Sequence, residues 1–326
     1  MRSTRPTDPF LGSSQALQLL RQQAVLAQQS GEPVLILGES GSGKSTLAAW
    51  LHETGPRRPH RFVEVPCSRQ GGTDLETRLF GTVGGHWTPG RTSSPGWLQT
   101  ARQGTVFLDE VGDMDLNLQR RLRDVLESGE FQRNGDVFKH HADFRIIAGS
   151  SLELRALAER GLFDPGLLVR LAASHVLRLP PLRDRREDLP YLSETILDRL
   201  RDTLQSPHLH LTREALSALE AHAWPGNLRE FRTCLEGAAL KSVDGNIRPE
   251  HLAMEGQPAG ASGNASGPLG QSRWERERQS IRAALDGAEE PAFANVAAAP
   301  APLASPPGMP PKSFSLRALL PRLRTG

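Results

Sequence analysis

The stretch Val34-Leu35-Ile36-Leu37-Gly38-Glu39-Ser40-Gly41-Ser42-Gly43-Lys44-Ser45-Thr46 decides how the rest of the chain is read. Four apolar residues ending at a glycine suit a short strand buried on both faces. The next nine residues fit the spacing G-x-x-x-x-G-K-[ST], and the pattern from Leu47 to His52 suits a helix. Glycines in such a loop let consecutive backbone N–H groups wrap an anion, and the following helix N-terminus adds positive field. Gly38, Glu39, Ser40, Gly41, Ser42, Gly43, Lys44, Ser45 and Thr46 are therefore the expected lining of a phosphate site. Lys44 would neutralise phosphate charge, and the Ser45 hydroxyl would hold Mg²⁺. The bland alternative is a glycine-rich turn with an exposed lysine, and the flanking strand and helix weigh against it.

A second apolar run, Thr105-Val106-Phe107-Leu108, ends in the carboxylates Asp109 and Glu110. In open α/β sheets, ligands bind where strands end at their carboxyl edge. Asp109 would join the Mg²⁺ shell, and Glu110 would polarise an attacking water. Comparable runs stand at 62–65, 144–148 and 175–179, and Leu17, Leu20, Ala24 and Ala27 mark an amphipathic helix over 15–29. Five short strands with helices between them predict a parallel sheet covered on both faces. Beyond Pro180-Pro181 the pattern becomes three helices, 189–204, 212–222 and 227–242, with no strand between them. The expected organisation is a nucleotide-binding α/β core over 1–182 and an all-helical lid over 183–255. A linker over 256–271 and a tail over 272–326 complete it, and Gly and Pro make up about a quarter of 256–326.

Composition narrows the functional classes. The 326 residues are 37% hydrophobic, which suits a globular chain, and no run reaches the length of a membrane span. Lys and Arg exceed Asp and Glu by two, so any nucleic-acid contact must be local. Residues 1–10 lack the apolar segment of a secretory signal. Cys67 and Cys234 alone provide no disulfide framework, and a cytoplasmic location is expected.

The motifs together resemble the AAA+ domain of sigma-54-dependent (NtrC-like) transcription activators. The carriers are residues 38–44, the run Gly104-Thr105-Val106-Phe107-Leu108-Asp109-Glu110-Val111-Gly112-Asp113-Met114, and Arg78-Leu79-Phe80-Gly81. The sensor I-like strand at 144–148, the segment 179–190 and Trp224-Pro225-Gly226-Asn227-Leu228-Arg229-Glu230 follow in the family's order. The resemblance covers roughly residues 9–254 and implies an AAA+ P-loop fold with a helical lid. It also implies ATP and Mg²⁺ as ligands, hydrolysis in a ring of identical subunits (a hexamer), and remodelling of the sigma-54 RNA polymerase holoenzyme. Within it, Arg170 matches an arginine that reaches the neighbouring subunit's γ-phosphate, and Arg229 matches sensor II. Asn227 and Glu230 read as a capped helix start. Arg229 then sits in the first turn, where a cation opposes the helix dipole by a few tenths of a kcal/mol, which makes sense beside an anion.

Several positions depart from the family's pattern. The substrate-contacting loop Gly-Ala-Phe-Thr-Gly-Ala aligns with Gly85-His86-Trp87-Thr88-Pro89-Gly90. Asp164 stands where a first arginine is usual, and Pro66 replaces an asparagine that restrains the catalytic glutamate. Gly149-Ser150-Ser151 follows the sensor I strand, with Ser150 the expected γ-phosphate contact. Residues 274–285 resemble the first helix of a Fis-type helix-turn-helix. Pro300, Pro302, Pro306, Pro307, Pro310 and Pro311 then exclude a recognition helix, which leaves DNA the least supported partner. Two readings stay open. One is a sigma-54 activator that hydrolyses ATP. The other is a divergent regulator that uses nucleotide as an assembly switch without remodelling sigma-54. A small-molecule kinase is disfavoured by the lid motif at 224–230.

Overall fold

The five runs form one parallel sheet: those at 34–37, 105–109 and 145–150 are buried almost throughout, as cover on both faces requires, while those at 62–66 and 175–178 stay partly exposed. The computed structural model describes residues 10, 12–67, 72–83 and 93–254, all within the first of two compact units, Met1–Ser266. The strands are β1 (Val34–Leu37), β2 (Phe62–Pro66), β3 (Thr105–Asp109), β4 (Arg145–Ser150) and β5 (His175–Arg178). Their order is β2-β3-β4-β1-β5, with every neighbouring pair parallel. β4 starts one residue later than the sequence suggested and runs on to Ser150, while β5 stops at Arg178.

Alternation along the strands divides the core. Leu35, Leu37, Val106, Leu108, Ile146 and Ala148 share a cluster with residues of α3 (Leu116–Ser128) and α4 (Pro165–Leu171). Val34, Ile36, Phe107 and Ile147 pack on the opposite side against α1 (Gln15–Gln29) and α2 (Lys44–Glu53). The buried residues of α1 are Leu17, Leu20, Ala24 and Ala27, the set its periodicity marks. Buried Arg145 donates to the carbonyls of Ala27 and Glu32, so a cation faces the carboxyl end of α1.

The lid has its own core, built from α5 (Leu189–Leu204), α6 (Arg213–Ala221) and α7 (Asn227–Lys241). Trp224 and Phe231 meet edge to face at its centre, and the Trp224 indole donates to Leu219 O at 2.8 Å. Thr212 caps α6, its hydroxyl accepting from Ala215 N at 3.2 Å. The strand-free expectation needs one correction. His210–Leu211 pairs in parallel with Asn246–Ile247, which ties the start of α6 to the segment after α7. In the core, His140–His141 pairs antiparallel with Glu130–Phe131.

Cys67 and Cys234 are buried free thiols, and burial pushes the Cys234 thiol up to about 11. No helix among the described residues is long and apolar enough to cross a membrane. The expected loop at 85–90, the linker at 256–271 and the tail at 272–326 lie outside the described residues.

Candidate functional site

The loop 38–46 runs from the carboxyl end of β1 into α2, and close packing dictates its glycines. Gly41 and Gly43 hold left-handed backbone, with φ of +75° and +108°. A Cβ on Gly41 would also lie 2.3 Å from the carbonyl oxygen of Gly226 in the lid. The Ser42 side chain is buried, with its Oγ lacking a hydrogen-bond partner among the described residues. Helix α2 opens at Lys44 with no side-chain cap, and Ser45 in its first turn is exposed. Thr46 follows, half-buried.

Lys44 is almost wholly buried, at 5% exposure. Its ammonium group lies 2.9 Å from Gly38 O, 3.3 Å from Glu39 O and 2.9 Å from Glu110 Oε1. Three donors thus meet three acceptors. Glu110 follows directly on β3 in the left-handed region, at φ +57°. That conformation is costly for a residue with a Cβ, and it aims the carboxylate back across the sheet edge. The other carboxylate oxygen, Oε2, accepts from both the backbone N and the Oγ of Ser151 at 2.7 Å. Burial pushes the Glu110 carboxyl up, but the bonds from Lys44 and Ser151 outweigh it and hold the group below its ordinary value. Asp109 ends β3, half-buried, opposite Pro66 of β2 in the strand register.

The lid meets the loop through a polar strap. Arg183 forms a two-pronged pair with Glu39, at 2.8 and 2.6 Å. Asn227 is wholly buried, donates to Glu39 Oε2 and Ser40 O at 3.1 Å each, and accepts from Leu182 N at 2.8 Å. The bonds from Arg183 and Asn227 hold the Glu39 carboxyl down at about 2. Asn227 therefore does not cap α7 as its sequence position suggests. Gly226 is the cap residue, and Glu230 satisfies its N–H at 2.6 Å, so only half of the expected capping exchange forms. Arg229 donates to Ser40 Oγ at 3.3 Å, which places the expected anion-facing cation on the loop itself. Arg185, buried at 1% exposure, donates to Ser42 O at 3.5 Å.

Three further positions named from the sequence are held by contacts within the chain. Ser150 is buried and turned onto its own chain, donating to Leu152 O and accepting from Leu152 N. Its neighbour Ser151 is the serine that reaches Glu110. Asp164 is committed to structure: it caps α4 through Leu167 N at 2.8 Å and pairs with Arg123 Nη1 at 3.0 Å. Arg170 lies on the same helix, half-exposed and 3.4 Å from Glu127 Oε1, away from the loop cluster of its own chain.

Ser151, Arg183 and Arg185 are the site residues that sequence reasoning missed. Arg183 and Arg185 lie in the segment 179–190 already singled out at the lid crossing, and that was the available signal. Nothing in the local pattern separates Ser151 from Ser150.

Comparison with known proteins places this geometry. Residues 10–177 match the family described as Sigma-54 interaction domain, and residues 183–268 match the AAA+ ATPase lid domain. The alginate biosynthesis transcriptional regulatory protein AlgB of Pseudomonas putida is 35% identical over 86% of this chain and 62% of its own. The response regulator protein PilR of Pseudomonas aeruginosa is 36% identical over 79% of this chain and 58% of its own. The chain thus spans less than two thirds of either relative. Among solved structures, NtrX from Brucella abortus in complex with ATP superposes with a TM-score of 0.67 at 29% identity, covering 74% of this chain and 56% of NtrX.

Proposed function

The chain belongs to the sigma-54 interaction domain family, and we propose that it binds ATP with Mg²⁺ at the loop 38–46 and hydrolyses it in a ring of identical subunits. In this reading the movement that follows acts on the sigma-54 RNA polymerase holoenzyme. The observation that carries the reading is the meeting of Lys44, Glu110 and the glycine cradle in one cluster at the carboxyl edge of β1 and β3. The residues suit a nucleotide. Gly41 and Gly43 open the backbone, and among the described residues Ser42 Oγ is buried without a partner and α2 begins with no side-chain cap.

Each residue then has a task. The backbone of 41–46 receives phosphate oxygens, and Lys44 neutralises their charge once Glu110 has left it. Ser45 and Asp109 are the residues that would hold Mg²⁺, which supplies Lewis acidity at the phosphate oxygens when bound. Glu110, freed from Lys44, orients and polarises water. Arg229 brings positive charge from the lid to the loop at Ser40. Arg170 is exposed enough to release Glu127 and serve a neighbouring subunit's nucleotide. The domain boundaries belong to the same proposal, with the core closing near residue 182 and the lid following. So does a cytoplasmic setting, supported by two buried free thiols.

The second reading, nucleotide as an assembly switch without remodelling, is favoured by Asp164, whose side chain is tied to α4 and Arg123 and offers no cation to a neighbour. One measurement separates the two. Specific ATPase rate is expected to rise with protein concentration, and Arg170→Ala to abolish that rise. Nucleotide binding without turnover at any concentration would leave the switch reading standing. Retention of sigma-54 with a transition-state ATP analogue tests the partner.

A further inference from the structure

Lys44 has no donor left for a phosphate. Its three ammonium hydrogens face Gly38 O, Glu39 O and Glu110 Oε1. Two of those acceptors are backbone oxygens of the loop itself. The third is a side chain, so it is the contact that can yield. What keeps Glu110 there is Ser151, which gives both its backbone N–H and its hydroxyl to the far carboxylate oxygen at 2.7 Å. The two groups sit on adjacent strands of the sheet, Glu110 just past the end of β3 and Ser151 just past the end of β4. On the other side of β3, the residue level with Asp109 is Pro66, which has no side-chain donor. Among the described residues, the Glu110 carboxylate is held by Lys44 and Ser151.

We propose that Ser151 is the positioning residue that parks Glu110 on Lys44 in the nucleotide-free chain, so that ATP must displace this carboxylate to bind. The proposal rests on the nucleotide-binding reading above. It makes Ser151 a restraint on the empty site, and its effect falls on affinity and KM. It also assigns to β4 a task that the end of β2 cannot perform with proline.

The test is equilibrium binding of a fluorescent ATP analogue with Mg²⁺ to the full chain, a readout that needs no turnover. Ser151 is exposed, so alanine there leaves packing untouched. The backbone N–H remains in Ser151→Ala, so one of two bonds is lost, and nucleotide affinity is expected to rise about threefold to fivefold. Ser151→Thr keeps the hydroxyl and is expected to restore the original affinity. Glu110→Ala removes the parked group and is expected to tighten binding, with Ser151→Ala adding nothing on top of it. In steady state, kcat/KM of Ser151→Ala should rise by the same factor through KM. Unchanged or weaker binding by Ser151→Ala would overturn the proposal, as would an effect that persists in the Glu110→Ala background. If the unaltered chain binds no nucleotide, the functional reading itself falls, and this inference with it.

Discussion

Asn227 shows how one side chain can hold a site together. It is wholly buried, its φ is +54°, and its amide meets three partners from the crossing segment and the loop. Asparagine tolerates the left-handed region better than most residues, and alanine there costs about 1 kcal/mol. Alanine also leaves Leu182 N buried without a partner, at about 1–3 kcal/mol. Asn227→Ala is therefore expected to lose about 2–4 kcal/mol of stability, read from the urea midpoint, and an unchanged midpoint would contradict this account. The same residue marks where sequence reading stops. The meeting of Lys44 with Glu110 is legible because a glycine loop after one strand and acids at the end of another bring both to one sheet edge. The partners of Asn227 lie far off in sequence, so its asparagine-then-glutamate pattern suggested a cap. Ser151 was hidden in the same way: its bond to Glu110 spans two strands, while Ser150 beside it turns inward.

Elements were legible where a period runs long enough to be counted. The three inner strands stand out as nearly unbroken apolar runs because burial on both faces demands them, whereas the edge strands β2 and β5 carry exposed Glu64 and Arg178. The periodicity of α1 marked its four buried positions, and α5 was found with its observed ends. Two-residue pairings such as His210–Leu211 with Asn246–Ile247 carry no period and were missed. Helix α4 adds a case where sequence comparison and element physics pull apart. By resemblance Asp164 occupies an arginine position, but in this chain it is the cap of α4 and the partner of Arg123. Asp164→Arg is expected to destabilise the fold by about 2 kcal/mol, through loss of the cap and exposure of Arg123 to a second cation. No gain in concentration-dependent ATPase rate should accompany it. A thermal melt and a rate titration check the two halves. A rate increase at unchanged stability would show that the aspartate merely replaces a finger.

At the scale of the molecule, the lid core reaches to the last of the described residues. The lid core takes in Ile247, Leu252 and Met254, with exposures of 0%, 7% and 8%. The pairing of Asn246–Ile247 with His210–Leu211 fastens this last stretch beneath α6. A chain ending after Met254 keeps every buried side chain of the described core, so its melting temperature and its affinity for ATP are expected to match those of the full chain. A chain ending after Gly245 loses three buried apolar side chains. At about 1.5–3 kcal/mol each, that is of order 5 kcal/mol or more, comparable to the whole stability of an ordinary domain. The longer truncation should therefore fold and bind, and the shorter one should lose the lid. Because Asn227, Arg183 and Arg229 reach the loop from the lid side, the shorter chain should lose nucleotide affinity with it. If cutting after Met254 weakened ATP binding, residues beyond 254 would have to contribute to the site. If cutting after Gly245 left binding intact, the polar strap between lid and loop would have no part in holding nucleotide.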